Sequence, residues 1–329
     1  MSLVNDTGTI LHWNVLTAKR PGLSRDLPPG QEKWTWVANS STLISGERDA
    51  VLVDTFLTTE QSQTLLEWVL ASGKNLIAIY VTHGHGDHFF GLAPLLARFP
   101  LAKALAIPEV VRAMETQISP ALVDDFWRKR IPGQIPDRLL VAAPLAKNEL
   151  ELEGHKLVAV NTGQTDTAYS TSLHVPSIGL IVAGDVVYNG IHPYLAETDT
   201  QSRLEWIAAL DRLEALKPRA VIAGHKIPEN DDDPRNIAET RQYLRDFNRL
   251  DEATTTAREL YDAMLRLYPD RANPGSLWSG ANAAKKQAKK SSTNRDATSQ
   301  IWPLADIRAS SRMSVLSQSG REGPFGAPA

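Results

Sequence analysis

The chain has 329 residues, 42% hydrophobic and 22% charged, which is enough apolar material for one large domain or two smaller ones with a real core. A formal net charge of −3 speaks against nucleic acid as the main partner, and no apolar run is long enough to span a bilayer. With no cysteine there is no disulfide framework and no thiolate ligand or nucleophile; the opening Met1–Asp6 lacks a secretory signal, so a cytoplasmic protein is expected.

From Ile10 to about Leu57 the pattern is of short strands, Ile10–Val15, Trp34–Val37, Ser41–Ile44 and Ala50–Asp54, separated by turn residues. Thr59–Ala71 carries Leu65, Leu66, Val69 and Leu70 at helical spacing and is closed by Gly73. The nearly unbroken apolar run Leu76–Val81 predicts a strand buried on both faces. Helices are expected at Gly91–Arg98 and Pro108–Gln117, then strands at Leu139–Ala142, Lys156–Val160, Ser172–Val175, Gly179–Ala183 and Ala220–Ala223. Late helices are read at Asn236–Phe247 and Thr254–Tyr268.

These elements form two mixed α/β blocks divided near Pro144, and two sheets packed face to face with helices outside would bury them as an αβ/βα sandwich. Residues 1–280 are assigned to this domain. Beyond Ala281 the composition turns to Lys, Ser, Arg, Gly and Pro, so 281–329 is expected to be a disordered tail.

The chemistry concentrates in Thr82-His83-Gly84-His85-Gly86-Asp87-His88, where the apolar strand ends. In an extended segment His83, His85 and Asp87 project to one side, and His88 points elsewhere, toward a second ion. Gly84 and Gly86 are expected to permit tight curvature and leave room for an ion and a substrate. Three imidazoles and a carboxylate suit zinc, with manganese or iron as alternatives. A solvent-exposed histidine loop explains the cluster poorly, because crowded imidazolium groups repel without a metal. His12, His155 and His174 are read more simply as hydrogen-bonded core residues.

The run from Thr82 to His88 resembles the HxHxDH motif of the metallo-β-lactamase superfamily. Val51-Leu52-Val53-Asp54 is similar to its first motif, a strand ending in a structural aspartate, and Ala183-Gly184-Asp185 and Ala223-Gly224-His225 to its later ligand motifs. The resemblance implies a four-layer αββα fold holding two divalent metal ions, most simply zinc. It places His83 and His85 on the first ion, Asp87, His88 and His225 on the second, and Asp185 between them. The third first-site histidine of the family falls in a Gly-His-Ser/Thr turn, which here reads Gly163-Gln164-Thr165. Gln164 is therefore expected either to ligate weakly through its oxygen or to hold only a water, and loss of the site is the remaining outcome.

The expected activity is hydrolysis, a metal-activated hydroxide attacking the carbonyl of a small-molecule lactone, lactam or other ester or amide. Asp87 is assigned proton transfer, and Tyr188 donation to an oxyanion or leaving group, with Asn189 and His192 nearby. Core packing is the other use weighed for Tyr188, and the one preferred for Trp34, Trp36, Phe89 and Phe90. No Gly-x-Ser-x-Gly elbow supports a serine hydrolase. A thioesterase of the glyoxalase II kind and a non-catalytic ligand-binding protein are the alternatives.

Overall fold

The computed structural model describes residues 10–24 and 26–299. The first half holds β1 (His12–Pro21), β2 (Trp36–Ser45), β3 (Asp49–Val53), α1 (Thr59–Ala71), β4 (Asn75–Tyr80), α2 (Leu92–Arg98), β5 (Lys103–Ala106) and α3 (Pro108–Gln117). Short helical turns over 120–130 lead to β6 (Ala143–Pro144). The second half holds β7 (Glu149–Leu152), β8 (His155–Gly163), β9 (Ser170–Val175), β10 (Leu180–Asn189), α4 (Thr200–Ala215), β11 (Ala220–Lys226), α5 (Arg235–Ala253), α6 (Ala257–Leu267) and α7 (Pro274–Ser299).

The two expected sheets are halves of one hydrogen-bonded sheet. Its strand order is β6-β5-β4-β3-β2-β11-β10-β9-β8-β7, with β1 laid on β2. The halves meet where β11 touches β2, at the pair His225 and Asn39. They close on each other through a shared core that includes Val53 and Ile79 from one half and Leu157, Leu173 and Leu180 from the other. Across it, the Tyr80 and Thr171 hydroxyls lie 2.8 Å apart.

Strand alternation shows why both sheet faces are apolar. On β10, Leu180 and Val182 join this inner core, whereas Ile181 and Ala183 join a second one under Trp206, Tyr243, Phe247 and Met264 of the late helices. On β11, Ala220 and Ile222 face inward and Val221 and Ala223 outward in the same way. The result is the αββα sandwich.

Some expectations shift. The stretch Leu139–Ala142 is not a strand; only Ala143–Pro144 pairs with β5. The short β5 and β7 were not anticipated, and Trp34 lies in a 3-10 turn ahead of β2. The boundary expected at 280 falls inside α7, where Ala281, Ala284 and Lys285 are buried and the Lys285 ammonium is held by Asp251. Alanines pack closely here and the lysine finds a carboxylate, so a polar composition does not prevent docking. Residues 300–329 of the expected tail lie outside the described residues. Among the described residues no helix is long and apolar enough to cross a membrane.

Candidate metal centre

The loop leaving β4 carries His83 and His85 and then tightens into a 3-10 turn, Gly86–His88. Asp54, just past β3 with φ of +60°, fixes this loop. Its Oδ1 accepts from the Thr82 N–H (2.8 Å), and its Oδ2 accepts from Thr82 Oγ1 (2.7 Å) and faces His88 Nδ1 (3.0 Å). Gly84 and Gly86 serve a different purpose from the expected one. A Cβ on Gly84 would meet Ala113 Cβ of α3 at 2.6 Å, and one on Gly86 the Phe90 ring at 2.7 Å. Their smallness admits packed neighbours, not an ion.

Two groups of donors converge, His83, His85, Asp166 and Asp185 in one and Asp87, His88 and His225 in the other, each with its ligand atoms within 4.8 Å of one another. In the first, Asp166 Oδ2 lies 3.0 Å from His85 Nδ1 and 3.8 Å from His83 Nε2. Asp185 belongs to both: its Oδ2 is 3.9 Å from His83 Nε2 and 3.1 Å from His225 Nε2, and its Oδ1 is 3.2 Å from His88 Nε2. Donor atoms around a tetrahedral ion with bonds of about 2.0–2.2 Å stand about 3.3–3.6 Å apart, so these spacings bracket a metal shell. Gly224 keeps β11 close, because a Cβ there would overlap the Asp185 carboxylate.

Hydrogen bonds to the outer ring nitrogens turn the imidazole lone pairs inward. His225 Nδ1 lies 3.0 Å from the Ala38 carbonyl, which only accepts, so the proton is on Nδ1 and Nε2 is free. His88 Nδ1 donates to Asp54 on the same logic. Thr82 Oγ1 gives its hydrogen to Asp54 and accepts from His83 Nδ1 at 3.0 Å. His85 is reversed: Nε2 faces Glu197 Oε1 at 3.3 Å and Nδ1 points in. Four buried atoms at the centre, His83 Nε2, His88 Nε2, Asp166 Oδ2 and Asp185 Oδ1, have no hydrogen-bond partner. Buried polar atoms are rarely left unpaired, and such a concentration fits a divalent cation as the missing partner.

The electrostatics agree with this arrangement. Burial, helped by neighbouring His88, lowers His83 to about 4, so it is neutral and ready to ligate. For His88 burial opposes the charge, but Asp185 and Asp54 outweigh it and raise the pKa well above the imidazole norm; Asp166 and Glu197 do the same for His85. Against its own burial, Asp87 is held far below the carboxylate range by His88, Arg20 and His225. Arg20 Nη2 and Asn39 Nδ2 each donate to Asp87 Oδ2 at 2.9 Å.

Other expected residues fall elsewhere. The Gln164 amide donates to the carbonyl of its neighbour Thr165 at 3.1 Å, and the chain offers Asp166 to the first group two residues later. Tyr188 is buried, its hydroxyl donating to Asp185 at 2.7 Å and its ring stacked on His225, so it braces these two side chains and does not stand free. Asn189 is tied to the Asp231 carbonyl and Asn230, and His192 to the Tyr243 hydroxyl; neither is among the converging groups. Phe89 and Phe90 are core residues, whereas Trp34 and Trp36 are only partly buried. His12 is exposed, and His155 and His174 are partly buried, so none is a fully buried core histidine. Asp166, Arg20 and Glu197 are the site residues that sequence reasoning missed; a lone acid at Asp166, near the expected ligand turn, was the one available signal.

Residues 34–225 match the family model described as the metallo-beta-lactamase superfamily. The chain belongs to that superfamily. Among solved structures it is similar to a metallo-beta-lactamase family protein from Thermus thermophilus (22% identity, 84% of this chain and 94% of that one, TM-score 0.56). It is also similar to a metallo-beta-lactamase from Pontibacter korlensis (18% identity, 72% and 99%, TM-score 0.52). A third is the FIM-1 metallo-beta-lactamase of Pseudomonas aeruginosa in a mono-zinc form (16% identity, 74% and 97%, TM-score 0.51). At these identities the likeness carries the fold. No protein with a curated description matches the sequence. Membership of the superfamily supports a metal-dependent hydrolase in general, and the two His/Asp groups fit metal sites.

Proposed function

We propose that the protein hydrolyses small, uncharged carbonyl compounds, lactones and simple esters foremost, with two divalent ions held by the two groups, zinc first among them. The convergence of both groups on Asp185 carries this reading. Bound there, the ions would supply Lewis acidity and bring the pKa of water to about 7 in the case of zinc. Asp87 is kept ionised and its Oδ2 is fixed by Arg20 and Asn39, which leaves Oδ1 to orient a water and pass a proton on transiently. At the rim, half-exposed Glu197 holds His85 and the Thr167 hydroxyl, and these bonds keep its carboxylate ionised.

Charge supports the substrate class. Three carboxylates line the centre, Glu197 stands at its edge, and the nearby guanidinium of Arg20 is already engaged by Asp87. Those carboxylates offset most of the charge of two divalent ions, so an anionic substrate would meet little surplus positive charge there. Arg20 also walls a neighbouring cleft of about 440 Å³ with Lys19, Glu60, Gln61, Arg130 and Gln134, a volume suited to a small molecule.

The test is a panel of lactones, carboxylate-bearing lactams and thioesters assayed with the metal-loaded protein. Lactone turnover abolished by chelation and restored by metal is expected, with the anionic lactams at least tenfold slower. A preference for thioesters would replace this reading with the glyoxalase-like one, and metal binding without turnover of any of them would leave a binding protein.

A further inference from the structure

Asp166 is fully buried, and its two oxygens are treated differently by the fold. Oδ1 accepts from Thr165 Oγ1 at 2.8 Å, whereas Oδ2 has no hydrogen-bond partner and is aimed between His85 Nδ1 and His83 Nε2. The turn at Gly163, with φ of +73°, and the bond from the Thr165 N–H to the Thr167 carbonyl fold the segment so that this carboxylate enters the hollow. A carboxylate oxygen in such a place needs a cation to meet it, the His85 imidazolium 3.0 Å away when no ion is bound and the ion itself otherwise.

We propose that Asp166 supplies the third side chain of the first metal position, where an imidazole or the Gln164 amide was expected, so that the position is built from two histidines and a carboxylate in addition to the shared Asp185. The assignment rests on the metal-binding part of the reading above and not on its substrate. It makes the centre richer in hard, anionic oxygen, which suits manganese and iron better than a third imidazole would.

The experiment compares wild type, Asp166→Asn, Asp166→His and Gln164→Ala. Asparagine retains an acceptor for Thr165 and removes only the anionic donor. Each protein is stripped with chelator, melted, dialysed against manganese or zinc, and analysed for bound metal. Wild type and Gln164→Ala are expected to hold two equivalents. Asp166→Asn should hold one tightly and the second at least tenfold more weakly, and its melt checks that the metal-free form is still folded. Asp166→His should keep two and shift competition toward zinc. Two tightly held ions in Asp166→Asn, loss of one in Gln164→Ala, or an unchanged manganese-to-zinc ratio in Asp166→His would each overturn the assignment alone. A wild type that binds no metal would overturn it together with the hydrolase reading.

Discussion

Asp54 Oδ2 and His88 Nδ1 stand 3.0 Å apart, and this contact decides which ring nitrogen of His88 carries the proton. Asp54→Asn tolerates the positive φ but can turn an amide N–H toward Nδ1, which would drive the imidazole proton onto Nε2, into the metal position. The expected result is a loss of about 10–100-fold in metal affinity, on the scale of other losses in the outer coordination layer. Calorimetric titration of the stripped protein with zinc checks it; unchanged affinity would show that the tautomer is fixed in some other way.

Glu197 does the same for His85 from the solvent side, at 3.3 Å from Nε2. Glu197→Ala frees the ring and removes an acceptor for Thr167, and should weaken metal retention by about tenfold or more. The side chain is half exposed, so the melting temperature of the stripped protein should hardly move. Equilibrium dialysis beside a thermal melt separates the two effects.

Arg20 and a metal ion compete for the charge of Asp87. In Arg20→Met the buried carboxylate loses its guanidinium, so the stripped protein should lose stability, by up to about 3–5 kcal/mol before the neighbouring histidines compensate. Metal binding should tighten, because the ion no longer shares that carboxylate with a fixed cation. Denaturant unfolding with and without metal measures both, and weaker metal binding in the variant would refute the competition.

In the stripped protein His85 and His88 have pKa values well above the imidazole norm and carry protons at neutral pH. A metal must expel them, so each should steepen the rise of log affinity with pH by about one per unit below its pKa. For stability without metal the sign is opposite. The contribution of a raised histidine is complete below the unfolded value near 6.5 and is lost as pH climbs through the folded value. Titrations in buffers of different ionisation enthalpy count the released protons.

Much of this architecture is legible in the sequence where local chemistry punctuates it. α1 and α3 begin and end where expected because Thr58 and Gln61 form a capping box and Pro108 opens the other helix. β5 and β7 escaped because four-residue strands owe their existence to their neighbours. α7 escaped because, apart from Leu277, its buried residues are small or polar, Ser276, Ala281, Ala284 and Lys285 among them. The motif histidines and Asp185 were legible, since they lie in or just past buried strands that the apolar runs announce. Asp166 was not: the motif pointed to Gln164, and only the path of the backbone after Gly163 brings the carboxylate two residues later into the hollow. Arg20 was not either, because 67 positions separate it from Asp87 and only the pairing of β1 with β2 brings them together.

The seam of the sheet gives the centre a mechanical role. His83, His85, Asp87 and His88 come from one half, whereas Asp166, Asp185 and His225 come from the other, and His225 lies on the strand pair, β11 with β2, that joins them. An ion gripped by both sets is a rivet through the two leaves of the sandwich, so withdrawing it should loosen the leaves from each other before either one frays.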